Sequence, residues 1–126
     1  MSRQRAEFAR SGEQAAVDFL KANGYKIINR NYKNKFGEID IIAREKDTWV
    51  FVEVKARRSE SFGPPETAVG KFKQGQISKA ALMFLKENAL LEKRARFDVV
   101  SVRYADRLPE IKLIRNAFEL DNRYFY

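Results

Sequence analysis

The amino-acid sequence predicts an α/β fold in which a mixed central β-sheet is flanked by helices. Two segments carry apolar residues at helical spacing, and five others are rich in Ile, Val and aromatic residues. These elements follow the order α-β-β-β-α-β-β. A strand that is joined through a helix to the next strand favours parallel pairing, whereas short turns favour antiparallel pairing. We therefore expect both kinds of pair in one sheet, within a single domain of residues 1–126.

The first half of the chain predicts one helix followed by three strands. Apolar and small residues recur every three to four positions from Phe8 to Leu20, and Asn23-Gly24 ends the helix. The second and third strands are separated only by Lys46-Asp47, which indicates a tight hairpin. The three strands are predicted at residues 25–32, 38–45 and 48–56.

The second half predicts one helix and two strands. The apolar stripe of this helix runs from Ile77 to Leu85, with Lys73 one turn before it. The strands are predicted at residues 96–102 and 110–118. The run RRSESFGPPE, residues 57–66, resembles a linker but is too short to separate two domains.

The residue types that are absent limit the chemistry of any active site. The chain has no cysteine and no histidine, which excludes disulfides, thiolate metal sites, the usual zinc ligand sets and triads built on histidine. Catalysis would have to use carboxylates, lysines, hydroxyls and a hard metal ion such as Mg²⁺. No segment is apolar enough to cross a membrane, and the amino terminus has no apolar signal core. We expect a cytoplasmic protein with no membrane partner.

The net charge of +8 arises from 25 basic and 17 acidic residues that are unevenly distributed. Residues 1–35 carry eight basic and three acidic side chains, and residues 55–79 carry six and two. Residues 36–54 between them carry five acids and two bases. Basic segments of this kind are typical of proteins that bind polyanions, because the binding of phosphates releases condensed counterions. A surface that only keeps the protein in solution is the alternative.

Two acidic side chains are predicted to face each other on the hairpin. A two-residue turn at Lys46-Asp47 places Asp40 opposite Glu53. The same register pairs Glu45 with Thr48, Ile42 with Phe51 and Glu38 with Lys55. Strict alternation places one set on the core face: Ile39, Ile41, Ala43, Val50, Val52 and Val54. It places the other set on the opposite face: Glu38, Asp40, Ile42, Phe51, Glu53 and Lys55. We expect the charged end of that face to lie at a cleft.

Like charges that face each other across a sheet are unfavourable, so something must offset Asp40 against Glu53. A divalent cation, a proton retained through a raised pKa, or the ammonium group of Lys55 would each do so. The alternative is an exposed salt-bridge cluster in which Lys55 pairs with Glu38 and the two acids face water.

The spacing of Asp40, twelve further residues and then Glu53-Val54-Lys55 resembles the PD-(D/E)xK nuclease motif, with Ile39 in place of the proline. The blocks GEIDIIA, VFVEVKARR, FGPPETAV and RFDVV together resemble the YraN-like family of small bacterial predicted endonucleases. The resemblance covers residues 12–118 and implies a restriction-endonuclease-like core, related to that of Holliday-junction resolvases.

The resemblance implies a metal site and a catalytic lysine. Asp40 and Glu53 would bind Mg²⁺ or Mn²⁺, with the backbone carbonyl of Val54 as a further ligand. Lys55 would orient or help to deprotonate the attacking water and stabilise charge in the transition state. Glu13 resembles the helix-one glutamate that completes the metal site and would join the catalytic set. A solvated glutamate near Arg10 is the alternative for Glu13.

The resemblance also implies contacts to the nucleic-acid backbone. Lys73 and Gln74 match a Lys-Gln pair at the start of the second helix, where they would hold a phosphate. Arg57 and Arg58 would bind flanking phosphates. The lysine has the simpler alternative of an ordinary helix-start residue. We expect a structural role for Asp98 in the block RFDVV.

The expected activity is that of a metal-dependent endonuclease acting on DNA, particularly branched or otherwise structured DNA. Symmetric cleavage of a junction would require a homodimer. A nucleic-acid-binding module that keeps the nuclease fold without cutting is the alternative, and a protein-interaction scaffold is a third possibility. The aromatic tail NRYFY, residues 122–126, lies outside the resemblance and is expected to dock on the domain or on a second copy, or to be disordered.

Overall fold

In the part of the chain that the structure describes, a five-stranded sheet lies between two helices. The structure is a computed structural model that describes residues 2–58, 69–104 and 108–119. The aromatic tail, residues 59–66 of the linker-like run and most of the block FGPPETAV lie outside the described residues. The elements are α1 (Arg3–Ala22), β1 (Lys26–Asn34), β2 (Gly37–Glu45), β3 (Thr48–Arg58), α2 (Lys71–Glu87), β4 (Arg94–Tyr104) and β5 (Pro109–Phe118). This order is the predicted one.

The sheet contains both kinds of strand pair. Its strand order is β1-β2-β3-β4-β5, and the β3–β4 pair is parallel while the other three pairs are antiparallel. The parallel pair is the one that α2 connects, as the rule for crossover connections requires. The predicted mixed sheet flanked by helices is confirmed, and this architecture is consistent with a restriction-endonuclease-like core. Neither described helix is long and apolar enough to span a membrane.

Each helix covers one face of the sheet. The small and aliphatic side chains of α1, including Ala16, Val17 and Leu20, pack on one face of the sheet against Ile41 and Val52. On the other face, the apolar stripe of α2 packs against a second cluster that includes Ile42, Phe51 and Phe97. Because helices cover both faces, the central strands are apolar on both sides. The two helices also lie on opposite sides of the end of β3.

The hairpin register is the predicted one near its turn. Glu45 pairs with Thr48 and Ile42 with Phe51, and the ladder between β2 and β3 continues to Ile41 opposite Val52. The pairing between these two described strands ends there.

The predicted alternation of side chains is wrong at Ile39. This residue packs with Ile42 in the cluster beneath α2, whereas Ile41 packs beneath α1. The neighbouring strand is irregular at the same level, where Asn31 adopts a left-handed backbone with a φ of 54°. Tyr32 pairs with Ile39 across β1 and β2 and also packs beneath α2, so both strands shift faces at the same point. Asp40 occupies this irregular position.

Candidate active site

The candidate site lies where the ladder between β2 and β3 ends. The backbone N–H of Val54 donates a 2.8 Å hydrogen bond to Oδ2 of Asp40. A side-chain carboxylate thus serves as the acceptor just beyond the last residue pair of the ladder. A cavity of about 270 Å³ opens beside it, and residues of α1 and of the end of β3 line it: Phe8, Ala9, Glu13, Asp40, Val54, Lys55 and Ala56. We refer to it as the site cavity.

The two predicted acids converge. Their carboxyls are close enough for the charge of Glu53 to act directly on Asp40, and the Glu53 side chain is only 6% exposed. Burial and the neighbouring Glu53 charge raise the pKa of Asp40 to about 7, although the hydrogen bond from Val54 opposes this shift. The pair therefore retains a proton close to neutral pH. A proton retained through a raised pKa is therefore one of the ways in which this pair can offset its two charges.

Two lysines complete the neutralisation of Glu53. Lys73 of α2 places its Nζ 2.5 Å from Oε1 of Glu53, and the Nζ of Lys55 lies 3.7 Å from the same oxygen. Burial and the nearby Lys73 cation lower the pKa of Lys55. Burial also opposes the charged form of Lys73, but its hydrogen bond to Glu53 and the negative charges of Glu53 and Asp40 together outweigh burial and raise the pKa of Lys73. Lys55 is thus the more easily deprotonated of the two.

The alternative of an exposed salt-bridge cluster does not describe this hairpin. Lys55 forms its ion pair with Glu53 rather than with Glu38. Glu53 is buried instead of facing water, and Glu38 is exposed opposite Lys33 of β1. The charges are held in a partly enclosed site between the two helices.

Glu13 lines the site cavity but has other partners. Its Oε1 accepts a 3.0 Å hydrogen bond from Nδ2 of Asn31 and lies 3.5 Å from Nε of Arg30. Among the residues that the structure describes, no three acidic side chains form a group that could hold a metal ion. In this arrangement Glu13 therefore stands beside the Asp40 and Glu53 pair without joining it.

The other residues predicted to contact the nucleic-acid backbone lie around the site. Gln74 donates through Nε2 to the carbonyl of Val69 at 2.8 Å, so its amide holds the chain that enters α2. The guanidinium of Arg58 lies 4.7 Å from the ring centroid of Phe8, at the border of the site cavity. Arg57 precedes it at the end of β3 and is partly buried.

Asp98 has the structural role that the sequence predicts. It is fully buried in β4, and its carboxylate accepts hydrogen bonds from Tyr25, from Arg96 and from the backbone N–H of Asn116. Arg96 also donates to Glu45 at 2.7 Å. Because Glu45 ends β2 next to the hairpin turn, this network lies at the opposite end of β2 from the site.

The side chains present fit a divalent cation. Mg²⁺ is commonly bound by one or two carboxylates together with waters and substrate phosphates. Asp40 and Glu53 supply two convergent carboxyls that already require a proton or an ammonium group to neutralise them. The backbone carbonyl of Val54 follows directly in sequence. This donor set consists of hard oxygens and needs no histidine or cysteine.

Two contributors to the site were missed by the sequence, and the ion pair of a third, Lys73, with Glu53 was not predicted. Lys73 was predicted as a phosphate ligand, and its pairing with Glu53 depends on how α2 packs against the sheet. The sequence pattern assigns Phe8 and Asn31 no role at the site, although Phe8 lines the cavity and Asn31 donates a hydrogen bond to Glu13. The one available signal was asparagine inside a predicted strand, since asparagine adopts left-handed backbone conformations more readily than most residues.

Fold and site together define a small mixed α/β protein in which a partly buried aspartate, a buried glutamate and two lysines lie beyond the last residue pair between β2 and β3. The sequence profile described as "Uncharacterised protein family UPF0102" matches residues 12–102. The chain belongs to this family, which confirms the membership predicted from the four sequence blocks.

Several bacterial relatives share most of the chain. A UPF0102 protein of Desulfosudis oleivorans is 53% identical over 94% of this chain and 95% of its own length. One from Geobacter metallireducens is 49% identical over 95% and 98% respectively. The solved structure of Pyrococcus furiosus SfsA in complex with Ca²⁺ matches 89% of this chain and 63% of its own, with 11% identity and a TM-score of 0.40. This chain thus spans less than two thirds of that protein's length, and so distant a similarity carries no information about activity.

Proposed function

We propose that the protein is a metal-dependent endonuclease that hydrolyses phosphodiester bonds of DNA, with branched or otherwise structured DNA as its substrate. The observation that supports this most is the convergence of Asp40 and Glu53 beside Lys55 at the end of β3. Two carboxyls in contact are unfavourable unless a proton or a cation neutralises them. Mg²⁺ or Mn²⁺ suits an oxygen-only site of this kind.

Asp40 and Glu53 would hold the ion, with the backbone carbonyl of Val54 as a further ligand. When bound, such an ion polarises a phosphoryl oxygen and lowers the pKa of a coordinated water. Glu13 is the proposed fourth member, and its recruitment requires it to leave Asn31 and Arg30.

The lysines and arginines would act on the phosphate. Lys55 has a lowered pKa, so its Nζ exchanges a proton more readily than an ordinary lysine and can orient or help to deprotonate a water. Lys73 is half exposed and can turn from Glu53 to a substrate phosphate. Arg57 and Arg58 would bind flanking phosphates, while Gln74 would support the start of α2. Phosphate contacts of this type position a nucleic acid without reading its sequence.

A cleavage assay tests the proposal. Four-way junctions, flaps, single strands and duplexes are incubated with the protein in Mg²⁺ or Mn²⁺. We expect the wild type to cut at least one structured DNA, and Asp40→Asn and Lys55→Ala to lose at least about 100-fold in rate. Asp47→Asn, at the hairpin turn, and Lys26→Ala, at the start of β1, are matched controls that keep full activity. Symmetric incisions in a junction would further support the proposed homodimer.

A non-catalytic nucleic-acid-binding module is the second candidate. The observation that favours it is the ion pair between Lys73 and Glu53, which neutralises the acidic pair without a metal ion. This candidate predicts salt-sensitive DNA binding, no cleavage of any substrate in the panel, and no response of the protein to divalent cations. Cleavage that survives unchanged in Asp40→Asn and Lys55→Ala would contradict the site that we assign.

A further inference from the structure

The outer face of α2 carries an aromatic and basic stripe that the proposed site does not use. Its members are spaced by four, three, four and three residues, which places them on one side of a helix. They are Phe72, Gln76, Lys79, Met83 and Lys86. The stripe spans about 21 Å at 1.5 Å per residue, so it forms an extended surface.

Phe72 begins this stripe beside the candidate active site. Its side chain is 80% exposed, although large apolar side chains are normally covered in a folded domain. Lys71 and Lys73 flank it, and Lys73 reaches Glu53 of the acidic pair. An exposed aromatic ring between two cations therefore lies one residue from a side chain of the site.

The other end of the stripe forms a groove against the turn between β1 and β2. The groove has a volume of about 630 Å³, and Phe36, Leu82 and Met83 supply its apolar surface. Lys35, Lys79 and Lys86 line it against a single glutamate. The ammonium groups of Lys35 and Lys79 lie 5.2 and 5.9 Å from the centroid of the Phe36 ring. The groove thus combines apolar surface with a net positive charge.

We propose that the stripe from Phe72 to Lys86, together with the Phe36 groove, binds a single-stranded segment of nucleic acid that continues from the cleaved phosphate. Exposed aromatic rings stack on unpaired bases, and lysines alongside neutralise the phosphates between them. In a duplex the faces of the bases already stack on one another, so Phe72 discriminates against fully paired DNA. The inference rests on the proposed nuclease function and specifies its substrate as DNA with an unpaired arm at the cut.

Binding measured without cleavage tests this surface. Fluorescence anisotropy in EDTA compares a labelled oligothymidine of about 15 nucleotides with a duplex of the same length. We expect Phe72→Ala to weaken single-strand binding at least about fivefold and to leave duplex binding within about twofold. Leu108→Ala is the matched control, because Leu108 is also 80% exposed and lies in another part of the chain.

The lysines of the groove are tested through salt dependence. Lys86→Glu should weaken single-strand binding and lower the slope of log affinity against log salt concentration by about one. Lys21→Glu is the control, since Lys21 is likewise an exposed lysine in the last turn of a helix. Circular dichroism and urea unfolding establish that each variant is folded.

Three outcomes would overturn the inference: no binding of single strands by the wild type, equal binding by Phe72→Ala and the wild type, or equal losses for Lys86→Glu and Lys21→Glu. Self-association that Phe72→Ala abolishes in the absence of oligonucleotide would instead assign the surface to a second copy of the chain. Binding is measured in EDTA and does not depend on catalysis. A negative cleavage assay therefore leaves the binding result valid, and a negative binding assay leaves the cleavage result valid.

Discussion

At the scale of single residues, the folded state disfavours the ionised form of the Asp40 carboxyl. Burial and the neighbouring charge of Glu53 raise the pKa of this carboxyl from 3.8 to about 7. The folded protein therefore holds a proton that the unfolded chain has already released between about pH 4 and pH 7. Since the folded state binds more protons in that range, stability falls as the pH rises through it. Above about pH 7 Asp40 is ionised in both states, and the folded state carries the full destabilisation.

Asp40→Asn should consequently stabilise the protein at alkaline pH. Asparagine keeps an oxygen acceptor for the Val54 N–H and resembles the protonated acid. In urea unfolding with EDTA at pH 8, we expect a free energy of unfolding higher by roughly 1 to 3 kcal/mol. The gain should shrink towards zero near pH 4.

The control for this effect is Asp47→Asn, which changes an exposed acid at the other end of the hairpin. Its stability should follow that of the wild type within about 0.5 kcal/mol at both pH values. A destabilised Asp40→Asn protein at pH 8 would contradict the raised pKa of Asp40.

The residues of the site were predictable to different degrees. Counting the hairpin register brought Asp40 and Glu53 together, because the turn and the pairing rules are local. The partner of Glu53 was not predictable in this way, since Lys73 reaches it from a helix that follows a ten-residue stretch outside the described residues. Whether the site cleaves DNA stays a prediction.

At the scale of elements, α1 and β3 approach closely because Gly12 has no side chain. A Cβ at Gly12 would lie 2.6 Å from the Cβ of Ala56. This contact brings α1 over the end of β3, where Glu13 and Ala56 line the site cavity.

Gly12→Ala should be destabilising even though alanine is the better helix former. Helix propensity favours the substitution by about 1 kcal/mol, but the overlap forces α1 away from β3. We expect a net loss of roughly 1 to 3 kcal/mol in urea unfolding. Adding Ala56→Gly removes the opposing methyl group. The double variant should therefore lose less free energy of unfolding than the sum of the losses in Gly12→Ala and Ala56→Gly. A Gly12→Ala protein as stable as the wild type would show that the helix accommodates the methyl group.

The Asp98 network joins elements from three parts of the sequence. Its carboxylate connects Tyr25 before β1 with Arg96 in β4 and with the backbone of Asn116 in β5. Asn116 has a φ of 52°, and the β4–β5 register shifts between Phe97 and Val99. Asp98 therefore stabilises the irregular edge strand β5 by accepting a hydrogen bond from the backbone N–H of Asn116.

Replacing Asp98 by asparagine should destabilise the fold strongly. The substitution preserves size but removes the charge that Arg96 faces, and breaking a buried pair costs about 3 kcal/mol or more. The measurement is the free energy of unfolding in urea at pH 7. Glu110→Gln, in the exposed pair with Arg103, is the control and should change stability by less than about 0.5 kcal/mol. Comparable losses in the two variants would contradict this account.

At the scale of the molecule, local patterns predicted the order of the seven elements that the structure describes and the presence of one parallel pair. They did not predict that β1 and β2 change faces together at Asn31 and Asp40, because strict alternation assumes regular backbone. That irregularity places a carboxyl at the border between the two helix-covered cores. The departure from a regular sheet thus coincides with the candidate site, where local rules are most often broken.

The whole fold should respond to a divalent cation if the two acids bind one. An ion that binds only the folded state adds RT ln(1 + [L]/Kd), about 1.4 kcal/mol at a tenfold excess over Kd. For a domain of this size, Tm should rise by roughly 3 to 6 °C in differential scanning calorimetry at pH 8. Asp40→Asn and Glu53→Gln should lose most of that rise relative to their own values in EDTA, whereas Glu110→Gln should keep it. An equal rise in all four proteins would assign the ion to another place on the chain, and no rise in the wild type would favour the module that binds nucleic acid without cutting it.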